Sequence, residues 1–279
     1  MRALRSAVGA GIASQIALAP ALALCLPALA LVLLAGCKAR PAPKPVEAPK
    51  PKPKPASFFD PATLGSIRGT VTLAGEAPAP APIDTAADPA CASTGTLVTE
   101  DYVVHQGKLA NVYVYIKSGP TAAMIQGASW MDPVALAEQH CSFVPHIIAV
   151  TAGQRIAFRN DDSTPQSIHA TPTVAGNAAI DISLAPNAPI QMRFFRKPEN
   201  LIPVRSAKHR WMTAFINVSP TPWFAVTGAD GTFELHNLPA GTYTLGIIHE
   251  KLGEQTITVT VTPQATATAA ITYRMKQGS

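Results

Sequence analysis

The 279-residue chain carries 22 basic and 17 acidic residues, a formal charge of +5, and is 47% hydrophobic but only 6% aromatic. The charge is unevenly placed: residues 58–279 hold 14 basic and 16 acidic residues, a balance of −2, so the excess belongs to the first 57 residues. A basic pI confined to a leader and its tether gives no ground for a nucleic-acid partner.

Arg2 and Arg5 open the chain, and a long apolar run follows through Leu34. This is the layout of a secretory signal, which is an address and not part of a fold. The exit Leu34-Ala35-Gly36-Cys37 resembles the bacterial lipobox. That resemblance implies cleavage before Cys37, acylation of Cys37, and attachment to a membrane through the lipid. Pro20 and Pro27 inside the run argue against a retained transmembrane helix. Lys38, where aspartate would favour inner-membrane retention, resembles the outer-membrane-sorted pattern. The expectation is a cell-envelope protein with a periplasmic body, outer membrane favoured over inner.

Residues 38–60 form a tether, with Pro49-Lys50-Pro51-Lys52-Pro53-Lys54-Pro55 at its centre. Fixed φ angles favour a polyproline II spacer, and twenty residues at ~3.1 Å each reach roughly 60 Å. Of four cysteines, Cys25 leaves with the signal and Cys37 is acylated. Cys91 and Cys141 remain, an even pair in an oxidising compartment, which predicts one disulfide closing a loop of about fifty residues.

From Leu64 onward the pattern is all-β. Ser66–Leu73 alternates apolar with polar, and residues 111–116 are β-branched and aromatic before a Ser-Gly-Pro turn. A short stretch from Pro133 to His140 is the one place that reads as amphipathic helix. His146–Val150 and Gln154–Arg159 flank Ala152-Gly153 as a hairpin. Strands follow at 191–195 and 213–218. Residues 224–235 read as strand, Asp-Gly turn, strand. Leu238-Pro239-Ala240-Gly241 turns the chain into 242–248, and 256–262 alternates strictly, with threonines on one face. Many short strands at regular spacing predict stacked sheets.

Two resemblances follow. Pro145–Val150, Gly153-Gln154, Phe158–Asp162, Gln166–His169 and His209-Arg210-Trp211-Met212 resemble, in order and spacing, a cupredoxin of the plastocyanin type. That resemblance implies a Greek-key β-sandwich and a copper cage of one thiolate, two imidazoles and a thioether. Two ligand positions are replaced: Gln166 stands where the first histidine belongs, and Ser206 where the cysteine belongs. His209 and Met212 stay in place. The second resemblance, carried by Gly231–Leu235 and Leu238–Leu245, is to the carboxypeptidase regulatory-domain-like, transthyretin-like β-sandwich. The division is then 61–220 for the cupredoxin-like region, with its core in 140–220, and 221–279 for the second sandwich. Whether 62–118 completes that second sandwich, with the first inserted into it, stays open.

Serine cannot form the copper–thiolate bond, so the expectation is no cofactor and no enzyme. Gly-x-Ser-x-Gly, His-Glu-x-x-His, Cys-x-x-Cys and phosphate-cradling glycine loops are all missing from residues 38–279. Asp161-Asp162 reads as a turn and His146 as packing. The leading reading is a binding or scaffold module, with an envelope protein or a glycan as partner. The alternatives are a copper-binding or electron-transfer protein with a rebuilt site of His169, His209, Met212 and His249, and a carbohydrate-binding module using Trp211, Trp223 or Tyr243. A cationic cluster, Arg193, Arg196, Lys197, Arg205, Lys208 and Arg210, reads as a charged strand edge or a docking surface.

Overall fold

The computed structural model describes residues 60–120 and 131–275. The signal, Cys37 and the Pro/Lys tether lie outside the described residues. The rest is built from β-strands arranged as two sandwiches, each with its own core.

The first sandwich is assembled from the two ends of the chain. Strand Leu64–Ala74 lies at the centre of one sheet, antiparallel to Thr232–Pro239 and parallel to Thr266–Arg274. Its alternation buries Ile67, Val71 and Leu73 while Arg68 faces water. Gly69 has no side chain for a reason: a Cβ there would sit 2.3 Å from the Phe233 ring and 2.7 Å from the Ala269 carbonyl oxygen. The opposing sheet runs Phe224–Val226, Tyr113–Ser118, Gly241–His249, Gly253–Val261. Between them lie Ile67, Val71, Val114, Phe233, Tyr243, Leu245, Ile271 and Tyr273. The two buried phenols find partners: Tyr273 donates to the Ile247 carbonyl at 2.7 Å, and Tyr243 to that of Pro239 at 2.7 Å. Strands within 64–118 therefore share a core with those of 224–274, not with the segment between them.

That segment forms the second sandwich, inserted into the first. One sheet runs Gln191–Arg193, Ile156–Asn160, Val134–Gln139, Ser142–Val144; the other runs Ile180–Leu184, Gln166–Ala170, Glu199–Arg205, Thr213–Ser219, Ile147–Thr151. Each sheet contains a parallel pair, 134–139 with 156–160 and 147–151 with 213–219. The fold class is thus the expected all-β one, built of β-sandwiches, and the insertion of one sandwich into the other, which the sequence left open, is present.

Three local expectations are corrected. The stretch Pro133–His140 is a strand, Val134–Gln139. Its Ala, Leu, Glu and Gln favour helix, but parallel pairing with 156–160 buries Leu136, Ala137 and Glu138 and outweighs propensity. Residues 146–159 are not a hairpin, because Ile147–Thr151 and Ile156–Asn160 belong to different sheets. Gln154 makes the crossing possible: its amide accepts from Thr151 N at 2.9 Å and donates to Asp132 O at 2.8 Å. The Asp230-Gly231 turn also joins two sheets, since 224–226 pairs with 113–118 and 232–239 with 64–74. Two apolar strands joined by a short link can meet edge to edge or face each other across a core, and alternation is the same in both.

The sandwiches meet at Tyr113, Tyr115, Ala149 and Ile248, with Leu201 and Phe224 packed alongside. A strap, residues 76–103, leaves the first sandwich after Leu64–Ala74, reaches the second through Cys91, and returns to the first at Val104–His105. It carries the ribbon Pro82–Ile83/Leu97–Val98 and the one-turn helix Pro89–Ala92. The Cys91–Cys141 disulfide fastens it.

Candidate functional site

The loop after Glu199–Arg205 turns tightly before Thr213–Ser219. Met212 N donates to His209 O at 2.9 Å and Ser206 N to Met212 O at 3.4 Å. Ser206 Oγ accepts from His209 N at 3.1 Å and lies 3.2 Å from Ser167 Oγ. The loop conformation that would present copper ligands is therefore held by the serine hydroxyl. Met212 packs in the core.

Gln166 is buried on its strand, and its amide orientation is fixed from one side. Asp162 Oδ2 accepts from Gln166 Nε2 at 2.7 Å and from Cys141 N at 3.0 Å. Since a carboxylate only accepts, the amide nitrogen faces Asp162 and Oε1 faces His209, 2.8 Å from its Nδ1. Nδ1 must then donate. The other ring nitrogen, Nε2, lies 3.0 Å from Asp88 Oδ2, a second carboxylate. Both nitrogens of His209 thus lie within hydrogen-bond distance of side-chain oxygens.

Asp88 caps the strap helix, accepting from Ala90 N at 2.9 Å, and also takes Lys208 Nζ at 2.9 Å and Thr164 Oγ1 at 3.0 Å. Lys208 first, then His209, hold its carboxyl well below the usual carboxylate range. Ligand atoms of Asp88, Cys91 and His209 lie within 4.8 Å of one another. The Cys91 sulfur is spent in the disulfide, and Asp88 and His209 already satisfy each other. Trp211 seals the flank, its ring 4.9 Å from that of His209 and its Nε1 donating to Cys141 O at 3.0 Å. Beneath this network sits Glu138, fully buried, with neither carboxyl oxygen hydrogen-bonded among the described residues. Burial, and then the charge of Asp162, push its pKa up to about 8.

The structure brings together Gln166, Ser206, His209 and Met212, and leaves His169 and His249 elsewhere. His169 is three residues from Gln166 on the same strand, so it faces the other way. Its side chain is 46% exposed, against 2% for His209, and stands 3.8 Å from Asp181. His249 is buried in the other sandwich, stacked 5.7 Å from Tyr102, with burial lowering its pKa to about 4. His146 does more than pack: it lies 3.2 Å from Glu250 and 3.0 Å from Thr213 O, tying the two sandwiches together. Burial would lower its pKa, but Glu250 outweighs that and raises it. Trp223 and Tyr243 are core residues, not an exposed aromatic face.

The cationic cluster divides into three. Lys208 joins Asp88, Arg205 and Arg210 line a cleft of about 260 Å³ with Trp211, Phe215 and His146, and Arg193, Arg196 and Lys197 lie elsewhere, at or just after an outer strand. Sequence reasoning missed Asp88 and Glu138, and placed Lys208 in a cationic cluster without its partner Asp88. Asp88-Pro89 carries a helix-start signal, but nothing local links it to a histidine 121 positions away.

The donors present do not fit a type 1 copper ion: an alcohol and an amide replace the thiolate and one imidazole. Comparison with known proteins adds the following. A family model described as "ER membrane protein complex subunit 7, beta-sandwich domain" matches residues 207–279. No curated protein matches the chain. Among solved structures, similar ones include a copper-containing nitrite reductase from Thermus scotoductus SA-01, 20% identical over 31% of this chain, with a TM-score of 0.28. This chain spans only 22% of that reductase. An oxidised amicyanin variant is 16% identical over 38% of this chain and 97% of its own, TM-score 0.28. A purple cupredoxin from Nitrosopumilus maritimus is 15% identical over 31% of this chain and 99% of its own, TM-score 0.26.

Proposed function

We propose that this chain is a non-catalytic, lipid-anchored module of the cell envelope whose cupredoxin-like sandwich serves as a binding or scaffold body without copper. One observation carries the reading: the imidazole of His209 is engaged on both sides, by Gln166 at 2.8 Å and Asp88 at 3.0 Å. Copper at either ring nitrogen would have to displace that nitrogen's partner and would find a serine hydroxyl in place of a thiolate. The Leu34–Cys37 exit and the Pro/Lys tether support the anchor. The description of the family that matches residues 207–279, a subunit of a membrane protein complex, supports an interaction role over catalysis.

Titration of residues 58–279 with Cu(II) and Cu(I) tests this. The expected result is a colourless protein without stoichiometric binding at micromolar metal. The double variant Gln166→His/Ser206→Cys replaces both lost ligands beside His209 and Met212. It is expected to take up one Cu(II) with an intense visible thiolate band. One equivalent of copper on the unaltered chain would overturn the reading. A double variant that stays colourless would place the loss in the cage geometry and not in two side chains.

A further inference from the structure

The outer face of the sheet containing Gln191–Arg193 is apolar where a solvent face should be polar. Met192 lies on this strand and Ile190 and Phe194 stand immediately outside its two ends; all three are exposed, while Phe195 is buried. They are 52%, 42% and 45% exposed. Across the ladder, Met192 pairs with Ala157, and Ala157 with Ala135 on the next strand. These small neighbours leave Met192 standing proud of a low, flat floor. Single exposed apolar residues need no explanation, but three within five residues at an outer strand do.

The charge around this face has one sign in excess. Arg155 and Arg159 alternate with Ala157 on the same side of their strand, flanking Met192. Arg196 lies over the Phe194 ring at 5.1 Å, and Lys197 follows it. Of these cations only Arg159 has a carboxylate partner among the described residues, Asp161 at 3.1 Å.

We infer that this face docks on an anionic lipid surface, with Ile190, Met192 and Phe194 entering the headgroup–acyl boundary while Arg155, Arg196 and Lys197 meet the phosphates. Apolar side chains that insert and basic ones that stay at the interface are the two terms from which peripheral membrane binding is built. A body anchored through Cys37 would thereby rest on the membrane in one orientation. The inference rests on the envelope reading only in that the body must meet a lipid surface.

The full chain reconstituted into vesicles of phosphatidylcholine, with and without phosphatidylglycerol, tests it by amide hydrogen exchange over residues 188–197. Exchange there is expected to slow roughly tenfold on anionic vesicles relative to neutral ones. The slowing should vanish in about 0.5 M salt. It should also vanish in Met192→Ser/Phe194→Ser, whose exposed positions leave the cores untouched. Flotation of the chain against its Cys37→Ser variant reads the anchor separately: a chain that floats with no lipid-dependent protection keeps its anchor and loses this proposal. Protection that follows protein density on both vesicle types would mean a second copy covers the face, and would also overturn it.

Discussion

Glu138 shows how one residue can set the pH dependence of the whole body. An ordinary glutamate has a pKa near 4.5, and burial beside Asp162 raises that of Glu138 to about 8. Below pH 4.5 both folded and unfolded chains hold the proton and nothing is lost. Between 4.5 and 8 the unfolded chain gives it up while the folded one keeps it, so stability falls as pH rises, and levels off above 8. Glu138→Gln removes that slope. Its advantage over the parent should grow from nil near pH 4 to on the order of 3–5 kcal/mol above pH 8. Urea denaturation of both proteins across this range checks it, and parallel curves would show that the carboxyl is not buried as described. Only the difference between the two proteins isolates Glu138. His146, with its raised pKa, contributes stability that also declines as pH rises, whereas His249, near 4, contributes stability that is lost as pH falls. Gln166 and Ser206 were singled out through the order and spacing of the resemblance. Their surroundings were not legible: Asp162, four residues from Gln166, read only as a turn, and Asp88 reaches His209 from 121 positions away.

At the scale of elements, the strap is the part whose position depends most on one bond. The helix Pro89–Ala92 is a single turn, and the ribbon beside it pairs two residues with two. Neither is stable on propensity alone. The Cys91–Cys141 disulfide closes a 50-residue separation, which in the chain-entropy account contributes about 4 kcal/mol. Cys91→Ser/Cys141→Ser should lower unfolding free energy by about that amount. It should also leave the amides of residues 82–99 exchanging faster than either core, as hydrogen exchange can report. An unchanged strap would mean that the Asp88 contacts with Lys208, His209 and Thr164 hold it unaided. The strand at 64–74 was readable from alternation over Ser66–Leu73, and that at 113–118 from the β-branched and aromatic residues of 111–116. The helix expected near 133–140 was not, because Ala and Leu suit both states and only the partner strand decides.

For the whole molecule, insertion makes each end of the chain depend on the other. The sheet containing 232–239 and 266–274 is built on Leu64–Ala74, and the facing sheet places Tyr113–Ser118 between 224–226 and 241–249. Residues 221–279 alone, roughly the extent of the C-terminal sandwich read from the sequence, lack both strands. They should show little ordered β-structure by circular dichroism and NMR, whereas residues 58–279 should fold; a well-dispersed spectrum from the fragment would contradict the shared core. By itself the sequence determined the all-β class and the cysteine pairing, which follow from residue type and local period; the two sandwich types and the copper-ligand positions were expected only through family resemblance. Only the tertiary structure decided which sheet each strand joins, that His169 and His249 stand apart from His209, and that Asp88 and Asp162 engage His209 and Gln166. Alternation fixes which face of a strand is buried but not what it is buried against. That choice belongs to contacts between residues far apart in the chain.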